Sequence, residues 1–143
     1  MTLIVDAGPL IAMADPKEAQ AGRILEVIEG ERGAVVVPAY VAAEADHLIA
    51  RRIGLKAERT FLRDLASGAY EVEAMTEDEH RLAVEVDADH PGLGLADLSI
   101  VILAARYRTR RVLTFDERDF RSVRTLDGEP FVLLPSDEPA PRG

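Results

Sequence analysis

Short apolar runs alternate with longer amphipathic stretches along the whole chain. Four runs rich in branched apolar residues, and a weaker fifth at 70–72, stop at turn-forming or polar residues, as buried strands do. The predicted strands cover residues 3–5, 34–37, 70–72, 111–114 and 131–134. Apolar residues recur at helical spacing between them, and a capping-box pattern lies at residues 76–79. The predicted helices cover residues 17–30, 39–53, 55–67, a segment beginning near 77, and 95–108. This alternation predicts an α/β domain with a parallel sheet and helices on both faces.

Two aspartates directly follow predicted strands. Asp6 comes immediately after the first apolar run. Asp116 comes after the fourth run, in the sequence Val112-Leu113-Thr114-Phe115-Asp116. In parallel α/β sheets, binding sites lie beyond the carboxyl ends of the strands. The same positions also suit aspartate as an ordinary turn residue that opens a helix. Each aspartate alone therefore leaves a functional and a purely structural interpretation open.

Two more acids interrupt helix faces that are otherwise apolar. The same-face neighbours of Glu44 include Tyr40, Val41 and Leu48, and those of Asp97 are Ile100, Val101 and Ala104. A carboxylate buried in such a face needs a partner or a metal ion. Alternatively, Glu44 belongs to a rotated helix and pairs with an arginine, and Asp97 complements the dipole at the start of its helix.

A parallel sheet would bring all four carboxylates to one edge. Carboxylates within about 5 Å of one another repel strongly, and their pKa values rise unless a cation lies between them. Ligand sets made only of oxygen suit Mg²⁺ or Mn²⁺. The sequence therefore predicts a divalent metal site formed by Asp6, Glu44, Asp97 and Asp116.

Composition narrows the functional classes. The chain has 143 residues and no cysteine, which excludes disulfides, thiol catalysis and cysteine–zinc sites. No apolar stretch approaches the roughly 20 residues that span a bilayer. The start lacks the basic leading segment of a secretory signal, so we expect a cytoplasmic protein without membrane contact.

The net charge of −9 has the wrong sign for a protein that simply coats nucleic acid. The charge is uneven, however. Residues 71–97 carry nine acids and one arginine, whereas residues 104–124 carry seven arginines and three acids. The arginine-rich run is either a solvated face or a patch that binds RNA, in which case Arg118 and Arg121 are candidate phosphate contacts.

Four motifs around these acids resemble those of the PIN-domain family, most closely its VapC-type toxins. They are LIVDAGPLIA at 3–12, AAEADHLIA at 42–50, GLADLSIVILAARY at 94–107 and VLTFDERDF at 112–120. The resemblance extends over residues 2–134. It implies a three-layer fold with a five-stranded parallel sheet of order 3-2-1-4-5. We expect a PIN-like nuclease domain at residues 1–135 and a disordered tail at 136–143.

The resemblance also implies a function. A VapC-type protein would be an endoribonuclease toxin that hydrolyses RNA with metal-activated water, Mg²⁺ being the expected ion and Mn²⁺ a plausible one. It would be inhibited by a small antitoxin protein and would form a homodimer. The four acids would be catalytic and metal-binding, and Thr114 and Asp119 would be accessory. Gly8 stands where many relatives carry serine or threonine.

Two other functions were compared with this one. A haloacid-dehalogenase phosphatase requires a second aspartate two residues after the first, and Gly8 occupies that position. The alternative that remains is a non-catalytic PIN-like module whose acids bind a metal or a partner without turnover. An assay of nuclease activity with and without EDTA separates it from the enzyme.

Overall fold

The computed structural model describes residues 1–138 and contains twelve regular elements in that range. The strands are β1 (Leu3–Val5), β2 (Val35–Pro38), β3 (Glu71–Glu73), β4 (Arg111–Leu113) and β5 (Val132–Leu134). The helices are α1 (Ala7–Ala14), α2 (Ala21–Gly30), α3 (Ala39–Arg52), α4 (Leu55–Ala66), α5 (Glu77–Asp89), α6 (Leu95–Arg106) and α7 (Glu117–Ser122). The predicted alternation of strands and helices is thus confirmed.

The five strands form one parallel sheet of order β3-β2-β1-β4-β5, as predicted. In the register of this sheet, Ile4 of the central strand pairs with Val36 on one side and Val112 on the other. The strands β2 and β3 are added on one side of β1, and β4 and β5 are added on the other side. The carboxyl ends of β1 and β4 are therefore neighbours, which places Asp6 beside the segment that begins at Thr114.

The core lies on the central strands and on α6. Every residue of β1 and β2 is buried, and so is every residue of α6 from 98 to 104. A helix that is apolar all round is a buried helix, and α6 packs against β1, β2, α3 and α5. This packing fixes the first turn of α6, which carries Asp97, relative to the sheet edge.

Two helices differ from the sequence prediction. The sequence pattern predicts turn-forming residues after the first strand and no helix before residue 17, but α1 begins at Ala7 immediately after Asp6. Pro9 does not prevent this, because the first-turn amides of a helix need no intrahelical acceptor. The short helix α7 likewise begins directly after Asp116.

The capping box of α5 is confirmed, with reciprocal hydrogen bonds between Thr76 and Glu79.

The structure describes the first three residues of the predicted tail, 136–138. These residues form a turn in which the Asp137 carboxylate accepts hydrogen bonds from the Leu133 amide and from Arg121. Arg23 donates to the Pro135 carbonyl at 3.1 Å and holds the same turn. The rest of the predicted tail, residues 139–143, lies outside the described residues.

Within residues 1–138, no helix is long and apolar enough to cross a bilayer.

Candidate active site

One threonine links the two strand-end aspartates at the carboxyl edge of the sheet. The Asp6 carboxylate accepts a hydrogen bond from the Ala7 amide at 2.8 Å and another from the Thr114 hydroxyl at 2.7 Å. The Thr114 oxygen in turn accepts from the Asp116 amide at 2.9 Å. Asp6 and Thr114 are buried, so both aspartates have fixed positions relative to each other. The accessory role predicted for Thr114 has this physical basis.

A compact group of three carboxylates lies beside this pair. Oxygens of Asp97, Asp116 and Asp119 lie within 4.8 Å of one another, and all three residues are partly buried. The Asp116 carboxylate also accepts the Asp119 amide at 3.2 Å, which caps α7. The sequence analysis treated Asp119 as accessory, but the structure places it in the group that is most suited to hold an ion.

All four predicted acids line one open cleft of about 410 Å³, which we call the acidic cleft. The strands deliver Asp6 and Asp116 to it, and the helices deliver Glu44 and Asp97. The structure therefore brings together the four residues that the sequence pattern selected.

The electrostatics of the cleft follow from burial and mutual repulsion. The pKa of Asp97 is raised to about 7, first by burial and then by the negative charges of Asp6, Asp116, Asp119 and Glu44. Burial also raises the pKa of Asp6, although the hydrogen bonds from Thr114 and Ala7 oppose the rise. A divalent cation would relieve the repulsion that both residues experience. Because all the candidate metal ligands are carboxylate oxygens, the residues present fit Mg²⁺ or Mn²⁺.

The predicted burial of Glu44 is wrong. The buried face of α3 consists of Val41, Ala42, Ala45 and Ile49, and the Glu44 side chain is exposed at the cleft. This is the rotated helix that the sequence analysis left open as the alternative. Tyr40 is only partly buried against the core, and Leu48 lines the cleft. Glu44 therefore faces solvent and the other acids, and no described arginine forms a salt bridge with it.

Two residues of the cleft were missed by the sequence analysis. Arg52 lies at the end of α3 and lines the cleft together with Glu44 and Leu48. The spacing of these three positions, each four residues from the next, places them on one helix face and could have revealed the cation. Phe115 lines the cleft between Thr114 and Asp116 and is 39% exposed. Phe115 follows the predicted strand at 111–114, and its position there carries no signal that distinguishes a cleft residue from a core residue.

Most of the arginine-rich run is paired with acids. Salt bridges join Arg106 to Glu79 and Glu73, and Arg121 to Asp137 and Glu117. Arg110 and Arg111 are paired in the same way. Arg118 is exposed and forms no salt bridge within residues 1–138. RNA contact by Arg118 and Arg121 stays a prediction, and Arg121 would have to release two carboxylates to make it.

Comparison with known proteins agrees with this geometry. A family model described as the PIN domain matches residues 3–126. The chain is 38% identical over 135 residues to ribonuclease VapC26 of Mycobacterium tuberculosis strain ATCC 25618 / H37Rv, covering 93% of this chain and 100% of that protein.

Two solved structures have the same fold. One is the VapC20 toxin of Mycobacterium tuberculosis, described as cleaving the sarcin–ricin loop. Its TM-score is 0.72 at 20% identity, over 82% of this chain and 92% of that chain. The other is from the VapBC2 complex of Rickettsia felis bound to a promoter DNA fragment. Its TM-score is 0.64 at 15% identity, over 93% of this chain and 97% of that chain. The family-model match extends from β1 to beyond α7, a span that contains every acid of the cleft, and this chain belongs to the PIN-domain family.

Proposed function

We propose that this protein is a divalent-metal-dependent endoribonuclease and the toxin of a toxin–antitoxin pair. The observation that carries the proposal is the group of acids gathered at the carboxyl edge of a PIN-domain sheet. Their mutual repulsion raises the pKa of Asp97 to about 7. Such a concentration of carboxylates in an open cleft is unfavourable for stability and suits the binding of a cation.

Five acids in and beside the cleft are candidate ligands of the ion. Asp97, Asp116 and Asp119 would hold it, since their oxygens lie within 4.8 Å of one another. Asp6 and Glu44 would complete the shell directly or through water, with Asp6 oriented by the Thr114 hydroxyl. A bound Mg²⁺ or Mn²⁺ supplies Lewis-acid activation of water and of the scissile phosphate. Asp97 would hold the ion in its carboxylate form, because a cation stabilises that form over the protonated one.

RNA is the substrate class that fits best. The relative that is 38% identical along its whole length is a ribonuclease. The acidic cleft also contains a cation, Arg52, which can pair with a backbone phosphate next to the acids. The cleft is open, so it can admit a polynucleotide chain.

The partner follows from the same comparison. A solved neighbour belongs to a VapBC complex, in which a VapC protein is accompanied by VapB. We infer that a small antitoxin inhibits this chain by placing a basic side chain, most suitably arginine, among the cleft acids. The bidentate guanidinium matches carboxylate geometry and would displace the metal. Homodimer formation through apolar helical surface and a cytoplasmic location remain predictions.

Cleavage assays with matched variants test the proposed activity. The wild-type protein should cleave single-stranded RNA in Mg²⁺ or Mn²⁺ and not in EDTA. Asp97→Asn should abolish cleavage while the protein stays folded, because the change removes one ligand and one of the repelling charges. Asp87→Asn is the control, since Asp87 is an exposed acid in the last turn of α5 that does not line the acidic cleft. Folded wild-type protein that cleaves no RNA with either ion would instead favour a non-catalytic binding module.

A further inference from the structure

An aromatic ring stands in the acidic cleft, and the metal chemistry does not need it. Phe115 lines the cleft with Asp6, Asp97 and Asp116, and 39% of its surface is exposed to solvent. The other phenylalanines, Phe61, Phe120 and Phe131, are at most 4% exposed. A ligand that covers this exposed ring gains the free energy of burying its apolar surface.

The backbone on both sides of Phe115 is held firmly. Thr114 is bonded to Asp6, and the Asp116 amide is bonded to Thr114. The Phe115 carbonyl accepts a hydrogen bond from the Glu117 amide at 3.1 Å. The Phe115 backbone therefore has a fixed position beside the carboxylates, directly after the threonine that contacts Asp6.

Gly8 makes room for the ring. A Cβ atom at position 8 would lie 3.2 Å from Cδ2 of Phe115, closer than an ordinary van der Waals contact. Because glycine has no Cβ, the ring can lie against the first turn of α1. Gly8 thus accommodates the aromatic side chain that follows the neighbouring strand β4.

The rest of the cleft adds a cation and apolar surface. Ile11 and Leu48 line it, and Arg52 lies one turn beyond Leu48 on α3. Proteins recognise unpaired nucleic-acid bases by stacking them on aromatic rings while cations contact the neighbouring phosphates. An aromatic ring, a cation and the acids within one cleft match the base, the phosphate and the scissile bond of one strand.

We propose that Phe115 is the stacking platform for an unpaired nucleobase next to the scissile phosphate. The inference rests on the proposed ribonuclease function. It assigns Phe115 to substrate positioning, whereas the acids perform the cleavage chemistry. A base paired within a duplex cannot stack on the ring, so cleavage is confined to loops and single strands.

RNA affinity tests the platform separately from cleavage. Binding of a single-stranded oligonucleotide is measured in EDTA with Asp97→Asn, which removes turnover and part of the repulsion. Adding Phe115→Ala should weaken binding about 5- to 150-fold, the range for loss of one stacked base. Phe115→Tyr should bind like the phenylalanine protein, and Phe115→Leu should behave like alanine because it keeps apolar area without a π face. Leu126→Ala is the control, since Leu126 is 44% exposed and does not line the cleft.

Modified oligonucleotides identify which base of the RNA stacks on the ring, and this experiment uses protein that keeps Phe115. A single abasic nucleotide is moved along the oligonucleotide. One position should lower the affinity by the same factor as Phe115→Ala, and at that position the alanine variant should show no further loss. In the wild type, the corresponding cleavage assay should show a raised KM, and a duplex of the same sequence should resist cleavage.

The outcomes separate this inference from the function on which it rests. If the wild type cleaves RNA, but the abasic scan is flat and the Phe115→Ala and Phe115→Leu variants bind and cleave like wild type, the platform is wrong and the ribonuclease stands. If the protein binds RNA with a position-specific abasic effect but cleaves nothing, the platform stands and the proposed activity is wrong. If the protein neither binds nor cleaves RNA, both are wrong.

Discussion

Individual side chains define the chemistry of the cleft, and Thr114 shows how a neutral residue contributes. Its hydroxyl donates to the Asp6 carboxylate and accepts from the Asp116 amide, and it is 1% exposed. It therefore satisfies two buried polar groups at once, and the hydrogen bond that it donates favours the charged form of Asp6. From the sequence, an accessory role for Thr114 was predicted only because its motif resembles that of the PIN-domain family.

Replacing Thr114 by valine tests this role. The change keeps the shape but leaves a buried carboxylate oxygen and a backbone amide without their partner, which should lower the free energy of unfolding by about 1–3 kcal/mol. The pKa of Asp6 should rise further, so the cleavage rate should fall at neutral pH more than at alkaline pH. Thr114→Ser should restore both properties. Urea unfolding and a pH–rate profile measure the two effects, and unchanged stability in the valine variant would contradict the assignment.

The raised pKa of Asp97 predicts how stability depends on pH. The folded value of about 7 lies above the ordinary value of 3.8, so the folded state binds more protons between these values. The contribution of Asp97 is fully favourable below 3.8 and is lost as pH rises toward about 7. Since Asp97 is partly solvent-exposed, the loss should be only about 1 kcal/mol in metal-free protein. Urea unfolding in EDTA should show a smaller decline for Asp97→Asn, and equal declines would contradict the prediction.

At the scale of elements, the sequence was most informative where periodicity is strong. The all-round apolar helix α6 and the capping box of α5 appear within a few residues of their predicted positions. The helices α1 and α7 were missed because both begin directly after an aspartate in a turn-like sequence. A cap and a turn use the same residue types, and only the packing of the following helix distinguishes them.

The face that a helix buries was harder to predict than its existence. On α3, the buried face combines Val41 and Ile49 with Ala42 and Ala45, and this orientation exposes Glu44. Alanines carry little hydrophobic signal, so the sequence pattern did not single out this face. The convergence of Glu44 with the other acids was nevertheless correct. Arg52 was missed because positions far apart in the sequence meet only once the whole cleft is assembled.

Arg106 connects three elements and should act in stability rather than in RNA binding. From α6 it pairs with Glu79 of α5 and Glu73 of β3, and it lowers the pKa of Glu79 to about 2. Arg106→Ala should lower the free energy of unfolding at neutral pH by about 1–2 kcal/mol, since the pairs are only partly buried. The contribution of Glu79 is present above 4.5 and is lost as pH falls toward about 2.

Measurements on Arg106→Ala should therefore separate two readings of the arginine-rich run. We expect urea unfolding to show the loss of stability and RNA affinity to keep its dependence on salt concentration. A reduced salt slope with unchanged stability would instead identify Arg106 as a phosphate contact.

The whole molecule carries a net charge of −9, and the acids that lie closest together are those at the acidic cleft, where a cation can reduce their repulsion. The arginines of residues 104–124 largely neutralise acids elsewhere on the surface, whereas the cleft acids have one cation among them, Arg52, within the described residues. A sequence cannot show which charges pair across the fold, so the basic run was open to two interpretations. The structure favours local ion pairs for most of it.

Thermal unfolding with and without manganese tests most directly whether the acids form one strained cation site. In EDTA, Asp97→Asn should melt above the wild type, because the variant lacks one repelling charge. Mn²⁺ should stabilise the wild type by about 2.7 kcal/mol at a hundredfold excess over its dissociation constant, and the variant by much less. Asp87→Asn should follow the wild type in both solutions. If Asp97→Asn melts below the wild type in EDTA and both gain equally from Mn²⁺, the acids of the cleft do not form a metal site.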